Sequence, residues 1–324
     1  MKRKVSFSYP DIFRVVQYTL DHKRLIIQMI GVGAALLVYY FFKSLSYQTQ
    51  GSLQFLPWFF NLLGLIASYL VLLIFAGPVT YLILKEIKTG RRGSIREAFR
   101  QGFRFGARLA LSPVGIISFL LACGIILILL ICLGMIPDLG PFLWSLLIIP
   151  QFALSLFLVV GVLTLLAGTL LLPSIIVNEG VGPGEAFSLL RHRLKRHFLK
   201  FWGYVFTAAF LNLIYFCLIT ILMLAALFFL FFLSSTILGD KPGLIIMSIP
   251  PTLASLAGFL ETSFSLPSHL PPEGWIYPAS GVAGGLSLAF IYMAWLTYPF
   301  LYAFNSGVII YLALEEKVVG SEED

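Results

Sequence analysis

Ser94-Ile95-Arg96-Glu97-Ala98-Phe99-Arg100-Gln101-Gly102-Phe103-Arg104-Phe105-Gly106-Ala107-Arg108 runs directly into an apolar stretch at 109–134. The first part has the period of a helix with two faces. Ile95, Ala98, Phe99, Gly102, Phe103, Gly106 and Ala107 follow the three–four spacing of an apolar face. Arg96, Arg100, Arg104 and Arg108 recur every fourth residue opposite, with Glu97 and Gln101 beside them and Phe105 as the exception. The apolar stretch exceeds the ~20 residues that a bilayer-crossing helix needs. Together they predict a basic helix of about four turns in the plane of a membrane interface, leading into a span.

Two other stretches repeat the opening. They are Ser8-Tyr9-Pro10-Asp11-Ile12-Phe13 and Gly182-Pro183-Gly184-Glu185-Ala186-Phe187. Each starts with a helix-capping residue, has an acid three positions later (Asp11, Glu97, Glu185) and a Phe two after that. The first N–H groups of a helix lack partners, so a cap side chain accepts from the third residue while the acid reaches back. In the third copy Gly182 replaces serine, but Pro183 suits the first helical position. That copy predicts Ala186, Phe187, Leu190, Leu194 and Phe198 on the apolar face, with Arg191, His192 and Lys195 opposite. The first copy sets Ile12, Phe13, Val16 and Leu20 against Arg14, Gln17 and Asp21. Asp11 lies 86 residues before Glu97, and Glu97 lies 88 before Glu185. The spacing predicts a threefold internal repeat of in-plane helix, span, outer loop and span, over roughly 8–90, 94–180 and 182–315.

The class follows from composition. Of 324 residues 59% are apolar and 11% charged, with a mean hydropathy of +0.94, against about 25% charged in soluble domains. An open sheet cannot face hydrocarbon, and a barrel would alternate in ~10-residue pieces. We therefore expect an all-α polytopic membrane protein, 1–324 forming one integral membrane domain. Its spans are expected at roughly 25–42, 60–85, 109–134, 145–177, 201–233 and 282–312. Pro78, Pro173 and Pro299 fall in the second, fourth and sixth, where kinks or breaks are expected. Cys123, Cys132 and Cys217 lie in apolar runs and are expected as small core residues. No small-x-small cleavage site follows the first run, which reads as a retained anchor.

Twenty of the 22 Lys and Arg fall in 1–24, 85–108, 179–200 and the tail; only Lys43 and Lys241 lie elsewhere. The positive-inside rule then places both termini in the cytoplasm, in a multi-pass protein of the cell inner membrane. The outer connection 234–281 is long and rich in Pro, Ser and aromatics. Within it Thr252–Phe264 predicts a short interfacial helix, with Trp275 and Tyr277 at headgroup depth. Arg91, Arg92, Arg96, Arg100, Arg104, Arg108, Arg191, Lys195 and Arg196 form the candidate basic surface. It is suited to anionic lipid and to a protein partner at the cytoplasmic face. Nucleic acid is not expected, because these cations flank spans and already serve orientation.

No catalytic constellation, metal set or cofactor motif is read. The spans carry no Lys, Arg, Asp or Glu near their middles, where ion-coupled transporters place ionisable groups. His22, His192, His197 and His269 sit on in-plane helices or the outer loop and read as solvated. Gln28, Gln151, Asn212 and Asn305 are the intramembrane polar residues. They are read as interhelical glue, with a polar solute path as the alternative. Gly102/Gly106 and Gly281/Gly285 have the four-residue spacing of close helix contacts.

The stretch 170–206, with Pro173, Glu179, Glu185-Ala186-Phe187 and the basic run to Lys200, has a weaker echo at 78–108. It resembles the membrane domain attached to some bacterial glycerophosphodiester phosphodiesterases and to related six-span prokaryotic proteins. In that family catalysis resides in a separate soluble domain. None is read in these residues, so the resemblance implies membrane architecture without the phosphodiesterase activity. The expectation is a non-enzymatic scaffold or subunit; the alternative is a permease for a lipid-like or apolar solute.

Overall fold

The computed structural model describes residues 13–49, 55–91, 93–133, 136, 145–238, 246, 248–249 and 276–319. Among the described residues there is no strand. In order the helices are α1 (Val15–Thr19), α2 (His22–Gln48), α3 (Phe55–Thr89), α4 (Ile95–Arg104), α5 (Gly106–Leu111), α6 (Val114–Cys132), α7 (Ile148–Glu179), α8 (Pro183–Arg196), α9 (Phe198–Leu238) and α10 (Ile276–Val319). Among the described residues six helical stretches are long and apolar enough to cross a membrane: His22–Gln48, Leu56–Thr89, Gly106–Cys132, Ile148–Glu179, Phe198–Ile237 and Ala279–Glu315. This is a helical multi-pass membrane architecture, and it agrees with the six expected spans in number and order. Phe119, Ile125, Phe210 and Leu222 are exposed apolar side chains on α6 and α9, an arrangement suited to hydrocarbon, which is as apolar as they are.

Several local expectations are corrected. Of the kinks or breaks expected at Pro78, Pro173 and Pro299, a break is excluded: the prolines lie inside α3, α7 and α10, which continue through them. Each proline removes one backbone donor, and helices of 35, 32 and 44 residues tolerate that loss because the turns on either side stay bonded. The helix expected over 95–108 is interrupted: α4 ends at Arg104, α5 begins at Gly106, and Phe105 N–H bonds to Gly102 O at 3.1 Å. The residue that broke the sequence pattern is where the chain turns. α1 has five residues and buries Val15 and Thr19, while Phe13 (56% exposed) and Leu20 (65% exposed) lie off its buried stripe. Asp21, expected on the polar face of the first copy, caps α2 by accepting from Lys23 N at 3.1 Å. Phe198, expected on the apolar face of α8, opens α9 and is exposed. Cys123 is buried, but Cys132 and Cys217 are exposed on their helices and are not core residues. Ser8, Asp11, Thr252–Phe264, His269 and Trp275 lie outside the described residues, as does the side chain of Tyr277.

The chain divides into two compact units. One comprises Met1–Val15, Leu73–Val205 and Phe304–Asp324; the other comprises Val16–Leu72 and Phe206–Ala303. In the first unit, residues 304–314 of α10 are buried without exception. A helix enclosed on every side must read apolar all round, and Val308-Ile309-Ile310-Tyr311-Leu312-Ala313-Leu314 does. Close helix approaches are made at glycine. A Cβ on Gly307 would fall 2.0 Å from Leu170 O, and one on Gly102 would fall 2.4 Å from the Pro78 Cα and N. The second unit buries Ile27, Val32 and Ala35 of α2. Trp295 Nε1 on α10 donates to Thr220 Oγ1 on α9 at 2.9 Å, and the Phe216 and Trp295 rings stack 5.0 Å apart.

Gly102 tests the α4–α3 crossing. Gly102→Ala must displace backbone, and we expect a loss of about 1–3 kcal/mol in detergent-solubilised thermal unfolding. Gly115→Ala, where a Cβ meets nothing within 4 Å, should be neutral or stabilising by up to about 1 kcal/mol. Equal melting of the two variants would show that α4 does not sit on Pro78.

Candidate functional site

The site is a set of exposed cations on α4 and α8, with the polar contacts that hold these helices to their neighbours. All of it lies in the first unit. α4 starts at Ser94, whose extended backbone turns its Oγ to accept from Glu97 N at 3.2 Å. Glu97 also reaches outside its own helix. Its carboxylate accepts from Lys85 Nζ at 2.5 and 2.6 Å and from Tyr81 OH at 2.8 Å, both on α3. Hydrogen bonds from Lys85 first, then from Tyr81, hold the Glu97 carboxyl below its usual range, and the Ser94 backbone N–H adds to the effect. Ala98 and Gly102 are buried, so Arg96, Arg100 and Arg104 are exposed on the other side.

α8 is set differently. Gly182 offers no side-chain cap, Pro183 takes the first turn, and Glu185 is exposed there. Ala186 and Leu190 are buried, while Arg191, His192, Lys195 and Arg196 are exposed. The attachment is Arg193, whose Nη2 donates to Glu179 Oε1 at 2.6 Å, with the guanidinium 4.6 Å above the Tyr311 ring centroid. Burial disfavours the charged guanidinium, and Tyr311, Glu179 and Glu315 outweigh it, so Arg193 is held even more firmly protonated than usual.

A chain of hydrogen bonds extends this pair. Lys88 Nζ on α3 donates to Asn178 Oδ1 on α7. Asn178 Nδ2 donates to Tyr311 OH on α10 at 2.7 Å, and Tyr311 OH donates to Glu179 Oε1 at 2.8 Å. Arg108 Nη1 on α5 donates to Gly180 O at 2.5 Å. Gly180 closes α7 with φ 70°, in the left-handed region that favours glycine. The network therefore ties α3, α5, α7, α8 and α10 at one end.

The sequence-based candidates divide accordingly. Arg96, Arg100, Arg104, Arg191, Lys195 and Arg196 present cations outward, and Arg91 is exposed just past α3. Arg108 is exposed as well; it lies on α5, past the turn at Phe105, and its Nη1 donates to the Gly180 carbonyl. Arg92 and Asp11 lie outside the described residues. Lys85, Lys88, Asn178, Glu179, Arg193 and Tyr311 were not singled out as site residues. Polar residues in the last turns of apolar spans were the available signal for most of them; Tyr311 had none. Among the described residues no group of His, Cys, Asp and Glu is placed to hold a metal.

The intramembrane polar residues have separate settings. Gln151 Nε2 reaches Leu130 O at 3.4 Å, and Asn212 Nδ2 reaches Pro299 O at 3.3 Å, each on another helix. Gln28 is fully buried, and neither end of its amide has a hydrogen-bond partner among the described residues. Asn305 is fully buried in the enclosed part of α10. Asn212 also borders a small pocket of about 20 Å³ in the second unit, between α1, α9 and α10, with Thr19, Tyr215, Phe216, Tyr298 and Tyr302. No protein-family model, curated protein or solved structure matches the chain.

Tyr311→Phe removes only the hydroxyl that joins Asn178 to Glu179. Leaving those partners unsatisfied should cost about 1–3 kcal/mol in thermal unfolding. An unchanged melting point would mean the network does not bear on stability. The Glu97 contact predicts a pH effect. A depressed carboxyl contributes stability above its unfolded value of ~4.3 and loses it as pH falls through the folded value. The melting difference between wild type and Glu97→Gln should therefore be full near neutral pH and shrink in acid. A constant difference would refute a charged Glu97 contact.

Proposed function

We propose that this chain is a non-enzymatic prokaryotic inner-membrane protein, a scaffold or subunit, with both termini in the cytoplasm. Its in-plane helices bind anionic lipid headgroups and present a basic surface to a protein partner. The observation that carries this reading is the two-sidedness of α4 and α8. Ala98, Gly102, Ala186 and Leu190 are buried, while Arg96, Arg100, Arg104, Arg191, Lys195 and Arg196 are exposed. Each basic side chain near an anionic surface contributes about 1 kcal/mol, weakened by salt. The ion pairs Lys85–Glu97 and Arg193–Glu179 keep both helices oriented. A threefold repeat is part of the reading. In each of α3, α7 and α10 a buried segment follows the proline, at 79–80, 174–176 and 301–302, and α10 continues buried over 304–314.

Arg96→Gln/Arg100→Gln/Arg104→Gln tests it, with Arg108 left intact because of its bond to Gly180. Native mass spectrometry of the protein purified from membranes should show phosphatidylglycerol and cardiolipin retention reduced about tenfold or more, given three lost charges. Retention equal to wild type at unchanged melting temperature would sink the lipid-binding role.

A second reading, a permease for a lipid-like or apolar solute, is motivated by the amides of Asn212 and Asn305 inside long apolar helices.

A further inference from the structure

α4 runs back along α3 instead of lying across it. Glu97 bonds to Lys85 and Tyr81, Gly102 sits on Pro78, and a Cβ on Gly106 would meet Ile74 Cγ2 at 3.2 Å. The three contacts follow α3 backwards over about 13 Å, which is also the rise of residues 97–106. Arg96, Arg100 and Arg104 are therefore exposed at successive levels, about 12 Å from first to last. An exposed guanidinium is costly beside hydrocarbon, so the hydrocarbon ends short of this row. Burial changes at the same level. Between Leu56 and Leu72 only Gly64 of α3 is buried, whereas Leu73, 76–80 and 82–84 are buried. An apolar side chain can stay uncovered in lipid without cost, but not in water. On the path into α6, Arg108 is the last exposed cation, and exposed apolar side chains follow from Leu111. From this level outward, Leu56–Leu73 of α3 has 18 residues and Leu111–Cys132 has 22, about 27 and 33 Å. Each matches a hydrocarbon core of about 30 Å.

From this we infer that the bilayer ends near Leu73 of α3 and that α4 meets it by its Arg104 end. Arg104 binds a lipid phosphate there, with the exposed side chains of Phe103 and Leu111 among acyl chains. Arg100 and Arg96 stand progressively further out, in water. The contacts Lys85–Glu97 and Lys88–Asn178 then also lie outside the hydrocarbon, which suits their charge. The inference rests on the lipid reading of the basic face and refines its geometry, because an α4 lying flat would hold its three arginines at one depth.

The test uses the full-length protein in vesicles of phosphatidylglycerol and phosphatidylethanolamine. In a Cys123→Ala/Cys132→Ala/Cys217→Ala background, one of Lys88→Cys, Arg96→Cys, Arg100→Cys, Phe103→Cys and Leu111→Cys carries a spin label; all five positions are exposed. The labels report collisions with a water-soluble nickel chelate and with oxygen. Nickel access should be high at 88 and 96, fall through 100 to 103, and give way to oxygen at 111. Equal access at 96, 100 and 103 would overturn the upright placement of α4. Oxygen-dominated access at 88 or 96 would overturn the boundary near Leu73. With the native cysteines kept, Arg104→Gln should lower phosphatidylglycerol retention about fivefold in native mass spectrometry, the share of one charge, and Arg96→Gln by less than about twofold. Equal losses from the two would overturn the graded contact while leaving lipid binding itself intact. Undiminished retention by Arg104→Gln would overturn the phosphate contact.

Discussion

Enclosure of residues 304–314 sets the terms for the first unit. A polar group on a helix segment with no exposed side is costly unless neighbouring helices complete its hydrogen bonds. Tyr311 meets that demand near the end of the segment, giving its proton to Glu179 and accepting from Asn178. The same enclosure explains Gly307, since Leu170 O occupies the place of a Cβ. Bulk and polarity along α10 are thus dictated by what surrounds it.

The charges of the first unit work in two populations. Lys85, Lys88, Arg108 and Arg193 bond to specific acceptors on other elements. Arg96, Arg100, Arg104, Arg191 and Lys195 point outward from helices whose other sides are buried. The first population orients the second, because a short surface helix without anchors would be free to roll and lose its facing. The second unit uses fewer charges. Arg24 is almost fully buried, donates to Tyr18 O at 3.0 Å and lies 5.1 Å from the Tyr18 ring centroid.

Much of the fold was legible because hydrocarbon restricts the choices. With no water to satisfy backbone groups, a long apolar run must be helical, and six such runs were plain in the sequence. Ser94 and Pro183 marked helix starts by local chemistry, and the structure has helices starting there. The α1 face was misread because five residues bury only one stripe, and Val15 and Thr19 form it. All four arginines of the row are exposed, and the helix is interrupted at Phe105 between Arg104 and Arg108.

By itself the sequence determined the number of apolar helices, their order, the starts of α4 and α8 and the clustering of basic charge. Each depends on near neighbours in the chain or on composition, which periodicity and capping chemistry report directly. Only the tertiary structure decided which cations bond to groups on other elements. Asn178 and Tyr311 are 133 residues apart, and Arg108 and Gly180 are 72 apart. Such pairs depend on how helices pack side by side, and helical period carries no record of that.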